Sequence, residues 1–128
     1  MNVFRKNAAV LAVAAAAIGT ALLAGPAAAD TDTTPPTVPQ NLHQAATLSA
    51  NPVISWDAST DTGSGVYHYW VLVDGQQRAK PTATSYDIQE LVNLDRITAG
   101  SHVITVGAVD FALNRSAPSD PINIVVVT

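Results

Sequence analysis

Histidines, serines and aspartates are the residues of this sequence that could support catalysis or bind a metal. The histidines are His43, His68 and His102, and each falls in a different segment of β character. Their separations do not match the spacing of zinc ligands. No Gly-x-Ser-x-Gly motif precedes a helix, so no hydrolase nucleophile is indicated. We therefore predict structural roles for the histidines, no catalytic residues, no enzymatic activity and no cofactor.

Two polar loops carry oxygen ligands of the kind that calcium prefers. Asp57 and Asp61 lie in the first loop, and Asp110 and Asn114 lie in the second. A sandwich topology can gather such loops at one end, where hard oxygen ligands would suit Ca²⁺. Nothing matches an EF-hand loop, and loop aspartates commonly cap turns. The sequence predicts no metal site and leaves open whether these carboxylates bind calcium.

An apolar outer face is the third feature with a possible function. The alternation in residues 67–73 places Tyr67 with Tyr69 on one side and Trp70 on the other. If this strand neighbours residues 102–110, and those neighbour the last strand, the outer face carries Trp70, Leu72, Val103, Gly107, Val109, Val125 and Val127. Gly107 would leave a gap for the Trp70 ring. Such a face could stack on a sugar or dock a neighbouring domain, or the ring could simply shield its own sheet.

Short strands separated by turn signals position these residues. We predict strands at residues 42–47, 53–56, 67–73, 77–80, 84–88, 102–110 and 122–127. Asp74-Gly75 predicts a tight hairpin turn with positive φ at both positions. Residues 91–99 are predicted as a crossing connection, with no amphipathic helix. The predicted core markers are Trp56, Tyr69, Val71, Ile104 and Val106, with Trp56 and Tyr69 as interior neighbours.

The N-terminal 29 residues have the pattern of an export signal. Arg5 and Lys6 precede an apolar run over residues 8–25, and small residues lead up to Ala29. We predict cleavage after Ala29 and a secreted, extracellular protein without a membrane anchor. The alternative is an uncleaved anchor helix, although the run is mostly alanine and is interrupted by glycine and proline.

Composition limits what the remaining chain can be. Removing 29 of the 128 residues leaves 99, enough for one domain of immunoglobulin-like size. Four basic and ten acidic residues remain, and this acidic balance argues against nucleic acid or anionic membrane as a partner. Cysteine is absent, so packing and strand pairing alone must stabilise the domain. We expect a Thr/Pro-rich lead-in at residues 30–38 and a monomeric domain at residues 39–128.

Several short motifs, taken in order, resemble a fibronectin type III domain of secreted bacterial proteins. The resemblance covers residues 33–127 and rests on the lead-in Asp32-Thr33-Thr34-Pro35-Pro36 with Pro39 and Leu42, Ser55-Trp56-Asp57-Ala58-Ser59-Thr60-Asp61, Gly65-Val66, Tyr69-Trp70-Val71, Asp74-Gly75, Thr84-Ser85-Tyr86, and Val106-Gly107-Ala108-Val109-Asp110 with Asn114 and Ser116. It implies an all-β, immunoglobulin-like antiparallel β-sandwich of seven strands, three against four, without catalytic residues.

The resemblance predicts a secreted, non-enzymatic module that acts as a binding or spacer element, with an extracellular protein or polysaccharide as its partner. The alternative is a carbohydrate-binding accessory protein associated with polysaccharide degradation, using an exposed Trp70 face. Three departures from the family pattern stand out. His102 lies where members carry a tyrosine that bonds back to the preceding loop, and its imidazole could make a similar bond. Leu113 replaces a turn glycine, so we expect a different turn there. No Arg-Gly-Asp occurs.

Overall fold

Strands dominate the computed structural model, which describes residues 31–45 and 49–128. The predicted signal peptide and the end of the first predicted strand lie outside these residues. In chain order the elements are β1 (Gln40–Gln44), β2 (Val53–Asp57), β3 (Val66–Val73), β4 (Gln76–Ala79), β5 (Ser85–Asp87), α1 (Ile88–Asn93), β6 (Gly100–Asp110) and β7 (Ile122–Val126). They form a three-stranded sheet, β1-β2-β5, and a four-stranded sheet, β4-β3-β6-β7. The predicted all-β sandwich is confirmed.

Pairing within the four-stranded sheet follows the alternation in the sequence. β3 runs antiparallel to β6, with Trp70 opposite Gly107 and Val71 opposite Val106. β6 also pairs with β7, which was the second condition for the predicted outer face. The hairpin between β3 and β4 turns at Asp74 and Gly75, whose φ angles of 51° and 83° are those of the expected tight turn. These pairings place the start of β3, at Val66, beside the end of β6, at Asp110.

The core is built around an aromatic contact between the two sheets. Trp56 on β2 and Tyr69 on β3 are each 3% exposed, and their rings meet edge to face with centroids 5.3 Å apart. This contact confirms the predicted interior pair. The other three core markers, Val71, Ile104 and Val106, are fully buried. Burying each such aliphatic side chain contributes about 1.5–3 kcal/mol, which is how the sandwich is stabilised without disulfides.

A bulge at the start of β3 changes the direction of one side chain. The register between β3 and β6 shifts between Val66 and His68. Tyr67 is consequently 46% exposed, whereas Tyr69 is buried. The prediction that Tyr67 shares the inward face with Tyr69 is therefore wrong, because the extra residue of a bulge breaks the period of two.

A six-residue helix lies where the sequence predicted only strand and connection. The carboxylate of Asp87 caps α1 by accepting a hydrogen bond from the Gln89 amide at 2.9 Å. Ile88 and Leu91, three positions apart, are fully buried against the core. The absence of a helix was thus predicted wrongly. Among the residues described, no helix combines the length and apolar character that crossing a membrane requires.

Two buried serines hold the segment between β6 and β7 along the edge of β6. The Ser116 hydroxyl accepts from the Ala108 amide at 2.9 Å, and the Ser119 hydroxyl accepts from the Val106 amide at 3.0 Å. The amides of the two serines donate back to the carbonyls of Ala108 and Val106. The two serines thus supply the hydrogen-bond partners that a neighbouring strand would give to the backbone of β6, and they hold the segment that follows the turn after Asp110.

Candidate functional site

The Trp70 ring lies against the Gly107 backbone, as its position in the sequence predicted. A Cβ at Gly107 would overlap the indole Nε1, so only glycine allows this approach. The same Nε1 is buried without a hydrogen-bond partner. The guanidinium carbon of Arg115 lies 5.1 Å from the ring centroid, in cation–π range. The ring is therefore covered by contacts within its own fold.

The remaining residues of the predicted apolar face are unequally exposed. Leu72 and Val109 are only 7% and 2% exposed. Val103 and Val125 are exposed, as is Val127 beyond the last strand. Accordingly, the six predicted residues that lie within strands share one face of the sheet by their register, but the predicted set does not form a continuous open apolar surface.

A stacked aromatic pair is the most exposed aromatic feature of the described residues. The rings of Tyr67 and Phe111 lie 4.7 Å apart at an angle of 20°, and Phe111 is 61% exposed. The Phe111 amide donates to the Gly65 carbonyl at 3.1 Å, which fixes the turn that presents the ring. Sequence reasoning missed this pair because the bulge that turns Tyr67 outward leaves no signal in the alternation.

The three histidines do not converge. They lie on β1, β3 and β6. A ring nitrogen of His43 lies 2.6 Å from the Asn41 carbonyl oxygen, and one of His68 lies 3.0 Å from the Tyr69 carbonyl oxygen. Each ring is thus bonded to nearby backbone, which agrees with the structural roles predicted for them.

His102 stands between a hydroxyl and a carboxylate, the order found in a hydrolase triad. Its Nδ1 lies 2.6 Å from an oxygen of Asp74, and its Nε2 lies 3.4 Å from the Thr98 hydroxyl. The Thr98 carbonyl oxygen is closer to Nε2, at 2.8 Å, and it can only accept. Both ring nitrogens therefore face acceptors, and the geometry favours a doubly protonated ring that cannot take a proton from the hydroxyl.

The charges of His102 and Asp74 stabilise one another. Hydrogen bonding to Asp74 raises the pKa of His102, while the Val103 amide and then His102 lower the pKa of Asp74. The Val103 amide donates to the Asp74 carboxylate at 2.9 Å. This arrangement ties the β3–β4 turn to β6. The bond between His102 Nε2 and the Thr98 carbonyl is the bond back to the preceding loop that the imidazole was expected to be able to make.

The loop carboxylates come together only in part. One oxygen each from Asp32, Asp61 and Asp110 lies within 4.8 Å of the others. Asp57 is exposed at the end of β2 and is not a member of this carboxylate triad. The amide groups of Asn114 donate to both oxygens of Asp110 at 2.8 and 2.9 Å. Asp32 was not among the predicted ligands, because it lies in the lead-in, far along the chain from Asp61.

The lead-in is seated by the loop between β2 and β3. The Ser64 amide and hydroxyl both donate to one oxygen of Asp32, at 2.9 and 2.8 Å. The bond from the Ser64 amide, then one from the Thr34 amide and then that from the Ser64 hydroxyl hold the pKa of the Asp32 carboxyl well below its ordinary value. Gly63 is needed here, because a Cβ would overlap the carboxyl group.

The turn after β6 completes this end of the sheet. The Leu113 amide donates to the Asp110 carbonyl at 3.0 Å, and Leu113 has a φ of 69°. This is the left-handed conformation that glycine adopts readily, so the expectation of a different turn is wrong. The Asn114 side chain also donates to the Asp32 carbonyl at 2.9 Å, which joins the turn to the lead-in.

Comparison with known proteins adds a likeness of fold. No protein-family model matches the sequence, and no curated protein matches it. The chain is similar to the Clostridium perfringens spore cortex lytic enzyme SleM, with a TM-score of 0.56 and 17% identity, over 72% of this chain and 29% of that one. A Yersinia enterocolitica family 28 exopolygalacturonase is also similar, with a TM-score of 0.47 and 19% identity, over 67% and 19% of the two chains. The chain thus spans less than a third of either protein.

Proposed function

We propose that this chain is a secreted, non-enzymatic module of the fibronectin type III kind that acts outside the cell as a binding or spacer element. The three-on-four sandwich is the arrangement that the resemblance implies. The motifs behind the resemblance fall at structural positions: Trp56 and Tyr69 in the core, and Asp74-Gly75 in the tight turn. Export is supported by the pattern of the first 29 residues.

The observation that carries the non-enzymatic part is the use of the histidines. Within the described residues, each of the three rings is bonded to the backbone of its own fold, and His102 is held by acceptors on both nitrogens. A general base needs a free lone pair within reach of a substrate proton. His102 offers none, because both of its nitrogens face acceptors. His43 and His68 are each bonded through one nitrogen to a backbone carbonyl, and among the described residues neither is paired with a hydroxyl or a carboxylate.

A second candidate function is carbohydrate binding, and the Tyr67–Phe111 pair favours it over the Trp70 face. An aromatic ring whose face is open can stack on a sugar. Phe111 is 61% exposed, whereas Trp70 is only partly exposed and is covered by Arg115. A carbohydrate-binding accessory protein would therefore use the aromatic pair at the end of the sheet.

Retention on insoluble cellulose and chitin distinguishes these functions. We expect a carbohydrate-binding protein to be retained, with retention lost in Phe111→Ala and kept in Trp70→Ala and in the exposed control Val125→Ala. Thermal unfolding of each variant checks that it is folded. Absence of retention on every polymer would remove carbohydrate binding and leave a spacer or protein-binding module.

Two further measurements test the rest of the proposal. The mass of the protein recovered from the culture medium should correspond to a chain that begins at Asp30, and a full-length chain retained in the cell would contradict secretion. Release of soluble sugar by the purified protein, lost in His102→Gln, would contradict the non-enzymatic assignment.

A further inference from the structure

Three carboxylates from separate segments converge at one end of the four-stranded sheet. Asp32 comes from the lead-in, Asp61 from the loop between β2 and β3, and Asp110 from the end of β6. One oxygen of each lies within 4.8 Å of the others. Oxygens bound to a single Ca²⁺ at about 2.3–2.6 Å lie at most about 5 Å apart. The spacing of this carboxylate triad therefore fits one calcium ion.

Burial of one carboxylate and an unmet bond on another set this triad apart from ordinary surface acids, although Asp32 and Asp61 are each partly exposed. Asp110 is fully buried. One oxygen of Asp61, Oδ2, accepts from the Gly65 amide at 2.8 Å, but the other, Oδ1, is shielded from solvent and has no hydrogen-bond partner. A buried carboxylate oxygen without a partner is unfavourable unless a cation reaches it. Oδ1 is the oxygen that Asp61 has free to bind an ion.

The charge of the triad is not balanced within the described part of the chain. The single ion pair there is His102 with Asp74, at the opposite end of β6. Asn114 and Ser64 donate hydrogen bonds to Asp110 and Asp32, but neither carries a charge. Close carboxylates with no basic neighbour repel one another, and a divalent cation relieves this repulsion.

We propose that Asp32, Asp61 and Asp110 form a calcium site that fixes the lead-in, through Asp32, to the loops at this end of the sandwich. Water completes the six to eight oxygen ligands that Ca²⁺ takes. Calcium sites of extracellular modules bind with dissociation constants of about 10⁻⁴–10⁻³ M. The site goes beyond the proposed function and does not depend on it, since carbohydrate retention can fail while calcium binding holds.

Unfolding of the full chain with and without calcium tests the site. We compare denaturant unfolding in 10 mM CaCl₂, 10 mM MgCl₂ and EDTA at matched ionic strength. For a dissociation constant of about 10⁻⁴ M, CaCl₂ should lower the unfolding equilibrium constant about 100-fold relative to EDTA. MgCl₂ should have a smaller effect, because Mg²⁺ demands strict octahedral geometry and dehydrates reluctantly. Equal stability in CaCl₂ and EDTA, or an equal response to MgCl₂, would overturn the assignment.

Asparagine variants separate metal binding from a structural role. Asp61→Asn and Asp110→Asn should both lose the response to CaCl₂. In EDTA, Asp61→Asn should be at least as stable as the parent, because its remaining oxygen still accepts from the Gly65 amide and the repulsion is relieved. Asp110→Asn should be less stable than the parent in EDTA, because asparagine cannot accept both hydrogen bonds from Asn114. A purely structural role would instead lower stability equally in both solutions. Asp57→Asn is the matched control from the neighbouring position outside the triad, and loss of the response in this variant would also overturn the proposal. If Asp110→Asn does not fold, Asp32→Asn provides the same test from outside the strands.

Discussion

The two ends of the four-stranded sheet handle negative charge in opposite ways. At one end, Asp74 is paired with His102 at 2.6 Å and receives the Val103 amide, so the corner is neutralised by the chain itself. At the other end, the carboxylate triad has hydrogen-bond donors but no basic side chain. The same strands, β3 and β6, join both ends. The contrast shows that a small sandwich can complete one end with its own residues while the other end is suited to an ion.

The largest effect is expected where the core meets the triad end. The Tyr69 hydroxyl accepts a hydrogen bond from the Ser59 amide at 3.0 Å in a buried setting. Tyr69→Phe leaves that amide without a partner, so the free energy of unfolding should fall by about 1–3 kcal/mol. Denaturant unfolding measures this change.

Tyr67→Phe is the matched control, because Tyr67 lies two positions away and is exposed. Its effect should stay within about 0.5 kcal/mol. Equal losses in the two variants would show that the buried bond to Ser59 does not stabilise the triad end.

A smaller effect of opposite sign is expected at the turn beside the triad. Leu113 has a φ of 69° and is 69% exposed, so its side chain gains little from packing. The left-handed conformation costs a non-glycine residue about 1–2 kcal/mol. Glycine avoids this cost, but part of the gain is offset because glycine has more conformational entropy to lose on folding. Leu113→Gly should therefore raise the free energy of unfolding by about 0.5–1 kcal/mol.

Ala112→Gly controls for the general effect of glycine in this turn. Ala112 precedes Leu113 and is also exposed, but it is not among the residues with positive φ. The Ala112→Gly variant should show no increase in the free energy of unfolding measured by denaturant titration. Stabilisation by Ala112→Gly, or destabilisation by Leu113→Gly, would contradict the strain assigned to Leu113.

The smallest effect is the pH dependence that the pair of His102 and Asp74 contributes to stability. Because the pKa of His102 is raised, its contribution is fully present below the ordinary histidine value of about 6.5 and is lost as the pH rises through the folded value. The lowered pKa of Asp74 makes its contribution present above about pH 4 and lost on acidification. The contribution of the pair of His102 and Asp74 to the stability of the folded protein should therefore be greatest near pH 5–6.

Asp74→Asn isolates this contribution, because its side-chain oxygen can still accept from Val103. The difference in melting temperature between parent and variant should be greatest near pH 5.5 and shrink towards pH 8.5. It should also decrease with added salt, since the pair is partly exposed. A difference that grows with pH would contradict the assignment.

Much of the fold could be predicted from the sequence because strand alternation and turn chemistry are local. The inward faces of β3 and β6 and the turn at Asp74-Gly75 depend on neighbouring residues only. The capped helix α1 had a readable signal, with Asp87 before the apolar pair Ile88 and Leu91, and it was missed because six residues are too few for a clear period.

The site was harder to predict, because it depends on residues far apart in the chain. Asp32 meets Asp61 and Asp110 only after the lead-in folds back onto the loops. Exposure of Tyr67 depends on a one-residue bulge that the alternation cannot indicate. The cover of Trp70 by Arg115 likewise follows from the path of the segment after β6.

The most direct test of the contrast between the ends is an amide ¹H–¹⁵N spectrum recorded during a CaCl₂ titration at constant ionic strength. We predict shifts at Thr34, Ser64, Gly65 and Asn114, whose amides donate to the triad, and unchanged signals at Asp74 and Val103 beside His102. Absence of shifts up to 10 mM CaCl₂, or equal shifts at both ends, would contradict the account.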